Sequence, residues 1–128
     1  MILRVDDIEF LDSDMHPNRT FTYDEAMEEL KDPANSKMWN YKWRLPTYEE
    51  MRVFSTLCKL EVGGFNKSWY WTSDNVETQR MLPKDPYAPI REYKWLYNPY
   101  NDEIARGALK DYSNMYKSYA LVRPVRIQ

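Results

Sequence analysis

The chain has 128 residues, the length of one domain, and 43% of them are hydrophobic. Such a composition excludes a disordered segment, which has too few apolar residues to form a core. The 18 lysines and arginines against 20 aspartates and glutamates leave a net charge of -2, so we expect neither nucleic acid nor an anionic membrane as a partner.

No stretch of the sequence has the features of an export signal or a membrane span. MILRVDDIEF lacks the apolar segment of a signal peptide, and nowhere do about 18 apolar residues follow one another. Cys58 is the single cysteine, so no internal disulfide can form. We therefore predict a cytoplasmic protein.

The first part of the chain predicts one strand and one helix. In ILRVDDIEFL, the apolar Ile8 and Phe10 alternate with acidic residues, as in a strand. Thr22 and Glu25 form a capping-box pattern at the start of TYDEAMEELK, in which each side chain bonds the other's backbone N–H. The apolar face of this helix consists of Tyr23, Ala26, Met27 and Leu30. The Asp-Pro step that follows ends the helix, because proline cannot continue it.

The same pattern recurs in TYEEMRVFSTLCKL. Thr47 and Glu50 repeat the capping box. The apolar face consists of Tyr48, Met51, Phe54, Leu57 and Cys58. Gly63 and Gly64 predict the end of the helix, since glycine favours the left-handed position found there. Capping alone explains the letters that the two helices share, so we do not infer an internal duplication.

Strands and irregular loops are predicted after residue 64. SWYWTS and the terminal SYALVRPVRIQ are rich in the aromatic and β-branched residues of strands. Pro124 lies inside the second of these segments and predicts a sheet edge or a bulge, because proline cannot donate a ladder hydrogen bond. No linker or change of composition divides the chain, and we expect a single domain over residues 1–128.

Four motifs give the chain a resemblance to a known family. They are TYDEAMEEL, WRLPTYEEM, YWTSD and the ALVRPVR that comes after Gly107. In this order and spacing they resemble the small DUF1566-type domains, which include the C-terminal domain of the Legionella collagen-like adhesin. The resemblance spans about residues 22–126. DDIEFLDSDMHPNRTF and the stretch over residues 79–101 depart from the family's pattern.

The resemblance implies an α+β, C-type-lectin-like fold, with two helices packed on small antiparallel sheets and long irregular loops. The related formylglycine-generating enzymes use a pair of cysteines, whereas this chain has one. We therefore predict that the protein is not an enzyme, with no catalytic residues and no cofactor.

WRLPT predicts a structural role at the start of the second helix. The Pro-Thr step sets the direction of the chain, Trp43 and Leu45 can pack under the helix, and Arg44 can pair with a carboxylate or with backbone carbonyls. A ligand-binding motif is the alternative. Arg123 and Arg126 are interpreted as surface cations or structural partners and not as catalytic residues.

Few residues of the sequence could carry catalysis or bind a metal. His16, the single histidine, lies in the turn-like SDMHPN and is interpreted as an exposed turn residue. Cys58 lies on the apolar face of the second helix, which predicts a buried thiol. Oxygen ligands for calcium occur in loops at Asp12 and Asp14 and at Asn98, Asn101, Asp102 and Glu103. Neither set forms a recognised calcium loop, so we predict no metal site.

A tract rich in tyrosine and tryptophan, YAPIREYKWLYNPYNDE, runs over residues 87–103. Recognition surfaces favour these two residue types, which give large contact areas at low entropic cost. The candidate partner-binding residues in this aromatic tract are Tyr87, Arg91, Tyr93, Lys94, Trp95, Tyr97 and Tyr100. The alternative is a pair of strands whose aromatic side chains complete the core.

We therefore expect a binding module that recognises a protein partner through the aromatic tract, with Arg91, Lys94 and Trp95 as hot spots. The resemblance implies a phage or bacterial accessory protein that acts on a host factor, in the host-cell cytoplasm or in a virion. A glycan-binding adhesion domain is the alternative.

Overall fold

The computed structural model describes residues 2–11, 13–15, 19–31, 42–76, 79–80, 90–111 and 116–127, with the backbone alone at 79–80 and 90–91. Within these residues the chain forms two helices and nine strands. They are β1 (Ile2–Val5), β2 (Ile8–Leu11), α1 (Tyr23–Lys31), β3 (Trp43–Arg44), α2 (Tyr48–Lys59), β4 (Tyr70–Asn75), β5 (Gln79–Arg80), β6 (Ile90–Arg91), β7 (Tyr93–Asn98), β8 (Glu103–Ala108) and β9 (Val125–Arg126). The strands form small antiparallel sheets, and the predicted α+β class with two helices is confirmed. In the described part of the chain, neither helix is long and apolar enough to cross a membrane.

The N-terminal segment forms a hairpin, so the prediction of a single strand was wrong. β1 and β2 pair antiparallel, with Val5 opposite Ile8 across a two-residue turn. Asp6 takes a positive φ of 53° in that turn. Aspartate tolerates this conformation better than most residues, but the Asp-Asp pair lacks the glycine that usually marks a hairpin turn.

The two ends of the described chain meet in a four-stranded sheet of order β1-β2-β9-β3. Phe10 lies opposite Val125 in this sheet, and Arg126 donates a hydrogen bond of 2.7 Å to Glu9. Because β9 is an interior strand, Pro124 does not lie at a sheet edge, which was one of the two predicted alternatives. Pro124 instead comes directly before β9, and its carbonyl accepts a hydrogen bond from the N–H of Leu11 at 3.3 Å.

Both helices begin at the predicted capping boxes. The N–H of Glu25 donates to the hydroxyl of Thr22 at 3.2 Å, and the Glu25 carboxylate accepts from the N–H of Thr22 at 2.9 Å. Thr47 and Glu50 make the same two bonds, also at 3.2 and 2.9 Å. These bonds satisfy N–H groups that have no partner inside the helix, and so they fix where each helix starts.

The end of α2 differs from the prediction. Glu61, and not a glycine, takes the left-handed position with a φ of 58°. The N–H of Val62 bonds the carbonyl of Leu57 at 2.9 Å and that of Glu61 bonds the carbonyl of Cys58 at 3.1 Å, which is the Schellman pattern of helix ends. Gly63 and Gly64 lie beyond this motif, with φ values of 86° and 63°.

The three-stranded sheet β4-β7-β8 separates two hydrophobic clusters. Trp71 and Leu96, which pair across β4 and β7, face the cluster that includes Ala26 and Leu30 of α1. Tyr70 and Tyr97, the neighbouring pair, face the other cluster. That second cluster takes Met51 and Phe54 from α2 and Phe10 and Val125 from the four-stranded sheet. The alternation of side chains along β4 and β7 thus gives each helix its own half of the core.

WRLPT has a structural role, as its sequence predicts, but Trp43 and Leu45 pack with the first helix and not under the second as expected. Trp43 and Leu45 are buried in the cluster of α1. The guanidinium of Arg44 donates two hydrogen bonds to the Glu50 carboxylate, at 2.6 and 2.8 Å, and a third to the carbonyl of Leu45. Arg44 therefore holds the same glutamate that caps α2.

Arg123 is a fully buried structural cation. Its Nε donates to Oδ1 of Asp14 at 3.0 Å, and its other N–H groups donate to the carbonyls of Leu11, Gly63 and Gly64. Its guanidinium also lies 4.0 Å from the ring centroid of Phe65. One side chain thus ties together three segments that are far apart in the sequence.

The hydroxyl of Tyr70 completes the surroundings of Asp14. It donates to the Asp14 carboxylate at 2.8 Å and accepts from the N–H of Asn66 at 2.9 Å. The amide of Asn66 donates to the same carboxylate at 2.6 Å. Burial, and then the nearby charge of Asp14, raise the pKa of Tyr70 well above its usual range, so the phenol stays protonated.

Candidate functional site

The described part of the aromatic tract forms strands and one turn. β7 and β8 pair as a hairpin from Tyr93 opposite Ala108 to Asn98 opposite Glu103. Tyr87 lies outside the described residues, and of Arg91 only the backbone in β6 is described.

Two candidate residues of the tract belong to the core. Tyr97 is fully buried and packs edge-on against Tyr48, with 5.5 Å between the ring centroids. Tyr93 is buried in a third cluster with Val76 and Ala108. These two residues fit the alternative interpretation, in which strands of the tract complete the core. A buried ring cannot contact a partner unless the strand rearranges.

The other three candidates have access to solvent. Tyr100, which is 50% exposed, lies in the turn after β7 with the Nζ of Lys67 4.6 Å from its ring centroid. Lys94 is half-buried, and its Nζ donates to the carbonyl of Ser73 at 3.2 Å and lies 5.3 Å from the ring centroid of Tyr23. Trp95, also half-buried, is the candidate that lines a cleft.

The Trp95 cleft is an open depression of about 530 Å³ between the start of α2 and the three-stranded sheet. Its lining consists of Tyr48, Asp74, Asn75, Trp95 and Ile104. Each side chain comes from a separate strand or helix except for Asp74 and Asn75, which are neighbours at the end of β4. Two aromatic rings and an aliphatic side chain thus meet one carboxylate and one amide.

The pleat of the sheet explains why Trp95 and Ile104 point the same way. Ile104 lies directly opposite Tyr97 on the neighbouring strand, and Trp95 is two residues from Tyr97 along β7. All three side chains therefore project from one face of the sheet. α2 covers Tyr97 but leaves Ile104 46% exposed.

Asp74 connects the sheet to the helix. Its Oδ2 accepts a hydrogen bond of 2.6 Å from the N–H of Tyr48, the first residue of α2. A carboxylate at this position is stabilised by the free N–H groups and the positive end of the helix dipole. Among the described residues, Oδ1 of Asp74 accepts no hydrogen bond. The carboxylate therefore keeps acceptor capacity beside the aromatic rings.

Sequence reasoning found Trp95 but missed the other four lining residues. Tyr48 was assigned to the buried face of α2, and its ring does pack on Tyr97 while also lining the cleft. Asp74 lies 26 residues from Tyr48, a contact that no local pattern predicts. Ile104 could have been recognised from the sequence as a surface contact, because it is an apolar residue among charged neighbours in NDEIAR.

A second groove, of about 410 Å³, lies beside the start of α1. Its lining includes Asp24, Glu25, Lys110, Asp111, Lys117 and Tyr119. Charges of both signs alternate there, and Glu25 is already engaged by the capping box. This groove has less apolar surface to offer a partner than the Trp95 cleft.

The remaining candidate residues have structural environments. Cys58 is buried as predicted, and burial raises the pKa of its thiol. Asp14 is held by Arg123, while Oδ1 of Asn98 and Oδ1 of Asn101 accept backbone N–H groups of the turn between β7 and β8. His16 and Asp12 lie outside the described residues. In the described part of the chain, no three His, Cys, Asp or Glu side chains form a group that could hold a metal ion.

Comparison with known proteins finds no match to a family model, to a curated protein or to a solved structure. The resemblance to the DUF1566-type domains therefore stays a prediction that rests on the four motifs.

Proposed function

We propose that this protein is a binding module that recognises a protein partner through the Trp95 cleft. The observation that carries the proposal is the cleft's open lining of Trp95, Tyr48 and Ile104, with Ile104 46% exposed. An aromatic pocket beside an exposed aliphatic residue suits a side chain of a partner protein, since such pockets hold the residues that dominate binding energy. The partner would be a host factor if the chain is a phage or bacterial accessory protein.

The proposed role is binding and not catalysis. Cys58, the single cysteine, is buried and its pKa is raised by burial, so the reactive thiolate is disfavoured. The proposal also includes the C-type-lectin-like assignment and a cytoplasmic location. Two helices packed on small antiparallel sheets support that assignment.

A pull-down with matched variants tests the proposal. Circular dichroism first shows that wild type, Trp95→Ala and Tyr116→Ala all fold. The three proteins are then immobilised and exposed to a host-cell lysate. Tyr116 is 86% exposed and does not line the cleft, so it controls for the loss of an aromatic surface residue. We expect one protein to be retained by the wild type and by Tyr116→Ala, and to be lost from Trp95→Ala. Equal retention by all three would refute the Trp95 cleft as the binding site.

A glycan is the second candidate ligand. Trp95 offers a ring on which a sugar could stack, and Asp74 and Asn75 beside it offer a carboxylate and an amide to bond hydroxyl groups. A glycan array probed with wild type and Trp95→Ala distinguishes the two candidates. Binding to one class of glycan that Trp95→Ala loses would favour the glycan over the protein partner.

A further inference from the structure

We infer that the Trp95 cleft takes the side chain of an arginine from its partner, with the guanidinium stacked on Trp95 and paired with Asp74. This inference rests on the proposed function, since it names the chemical group that the partner inserts. Three features of the cleft support it: its charge, its aromatic lining and its aliphatic wall.

The first feature is charge. Of the described residues that line the cleft, Asp74 is the one with a formal charge, and that charge is negative. Its Oδ2 is held by the N–H of Tyr48 at 2.6 Å, so the carboxylate has a fixed position. Because Oδ1 accepts no hydrogen bond from the described residues, it can accept one from a bound cation.

The second feature is the pair of aromatic residues. The faces of tryptophan and tyrosine rings attract cations, and tryptophan does so most strongly. A guanidinium is planar and weakly hydrated, so it stacks on an aromatic ring and bonds a carboxylate at the same time. A lysine ammonium is a compact and strongly hydrated charge, which makes it the poorer ligand here.

The third feature is the aliphatic wall. The methylene groups of an arginine bury apolar area when they lie along an apolar surface. Ile104 provides that surface at the open side of the cleft, where it is 46% exposed.

Three charged groups near the cleft have partners within the protein, and one of them, Arg106, is a cation on the same face of the sheet as Trp95. Arg106 lies opposite Trp95 on β8, and its guanidinium carbon lies 5.9 Å from the ring centroid of Tyr93. Lys94 points to the other face of the sheet, where it contacts Tyr23 and the carbonyl of Ser73. Glu50, in the first turn of α2, is paired with Arg44.

A titration with two small probes tests the inference without knowledge of the partner. The probes are N-acetyl-arginine methylamide and N-acetyl-citrulline methylamide, which have almost the same shape but differ in charge. Both are added to isotope-labelled protein, and the shifts of the Trp95 indole N–H and the Tyr48 amide are followed by NMR. We expect the arginine probe to bind with a dissociation constant in the range of about 1 to 10 mM, and the citrulline probe to bind about tenfold more weakly or not at all.

Asp74→Asn is the matched variant for the titration. Its side-chain oxygen can still accept the N–H of Tyr48, so α2 keeps its contact with β4 while the charge is removed. We expect the arginine probe to lose most of its advantage over the citrulline probe in this variant, because only the attraction of the aromatic rings for the cation remains. Equal binding of the probes to the wild type, shifts outside the Trp95 cleft, or no shift with either probe would each overturn the inference.

The proposed binding site and the arginine ligand can be refuted separately. If Trp95→Ala loses the partner in the pull-down but the probes do not differ, the binding site stands and the arginine inference is wrong. If Trp95→Ala retains the partner, the proposed function is wrong, whatever the probes show. If the partner is lost from Trp95→Ala and the two probes also differ, Asp74→Asn should weaken the affinity for the captured partner by about tenfold. This is the effect of losing one charge-assisted hydrogen bond.

Discussion

At the scale of single residues, Gly107 shows how closely the sheet packs on one side chain. A Cβ at this position would lie 2.5 Å from Cζ3 of Trp71 and 3.0 Å from Cγ of Leu96. Both neighbours are buried in the cluster of α1, so neither the Trp71 ring nor the Leu96 side chain can move away freely. The glycine is needed here for space and not for a positive φ.

Gly107→Ala should therefore lower the free energy of unfolding by about 1 to 3 kcal/mol, the cost of overpacking a core. Urea denaturation at equilibrium measures the change. The double variant Gly107→Ala, Trp71→Phe provides the control, because the smaller ring leaves room for the methyl group. The steric explanation is wrong if the double variant loses as much stability as the sum of the two single changes.

Two buried tyrosines with different hydrogen bonding give a second prediction. The hydroxyl of Tyr97 has no hydrogen-bond partner in the described part of the chain, whereas that of Tyr70 bonds Asp14 and Asn66. An unsatisfied buried hydroxyl costs free energy, and its removal is neutral or stabilising. Tyr97→Phe should leave stability unchanged or raise it by up to about 1 kcal/mol, while Tyr70→Phe should lower it by about 1 to 3 kcal/mol. Thermal and urea unfolding of both variants check this, and a destabilised Tyr97→Phe would indicate a bound water on that hydroxyl.

At the scale of elements, the starts of the helices were predictable and their ends were not. A Thr-x-x-Glu pattern is enough to predict the two hydrogen bonds of the capping box, because both donors and both acceptors lie within four residues. The end of α2 at Glu61 and the turn at Asp6 depend on positive φ values in residues other than glycine, which local sequence does not reveal. Hydrogen bonds from the N–H groups of Glu61 and Val62 hold the first of these positions, and the pairing of Val5 with Ile8 holds the second.

The capping box of α2 should make stability depend on pH. Burial alone would raise the pKa of Glu50, but the hydrogen bonds from Arg44 and Thr47 outweigh it and lower the pKa below the ordinary value of 4.5. A carboxyl whose pKa is lower in the folded state adds stability above pH 4.5 and loses it as the pH falls through the folded-state pKa. Glu25 has a lowered pKa too, first because of the backbone hydrogen bond from Thr22, and acts in the same direction.

Glu50→Gln tests this pH dependence. We expect it to lower the free energy of unfolding at neutral pH by about 1 to 2 kcal/mol and to reduce the loss of stability between neutral pH and pH 3. Glu49→Gln is the matched control, because Glu49 has the same charge on the same helical turn but a side chain that is 78% exposed. Urea denaturation across this pH range should show a change of slope for Glu50→Gln alone.

At the scale of the whole molecule, Arg123 joins the long-range parts of the fold. Its partner Asp14 is 109 residues away in the sequence, and the carbonyls of Gly63 and Gly64 are about half that distance away. The sequence indicated a structural partner at this position but not which residue it pairs with. Pairing over such a separation depends on the order of the strands, and that order is a property of the assembled sheet.

Removal of this buried cation should be costly. Arg123→Met leaves the Asp14 carboxylate buried without a cation and removes the donor to three carbonyl groups, so we expect a loss of about 3 to 5 kcal/mol in the free energy of unfolding. Arg126→Met is the comparison, because Arg126 pairs with Glu9 and its side chain is 34% exposed. This substitution should lower the free energy of unfolding by about 1 kcal/mol or less. Equal losses in the two variants would contradict a special role for the buried pair.

The position of β9 between β2 and β3 also has a consequence for the order of events during synthesis. The ribosome makes β2 and β3 long before Val125 and Arg126, yet both strands need β9 as their neighbour. The four-stranded sheet therefore cannot close before β9 has been made, whereas the β7-β8 hairpin can form earlier from local contacts. Until β9 is available, Phe10 and Trp43 lie on strands without this neighbour, and a nascent chain of this kind is open to contact with chaperones.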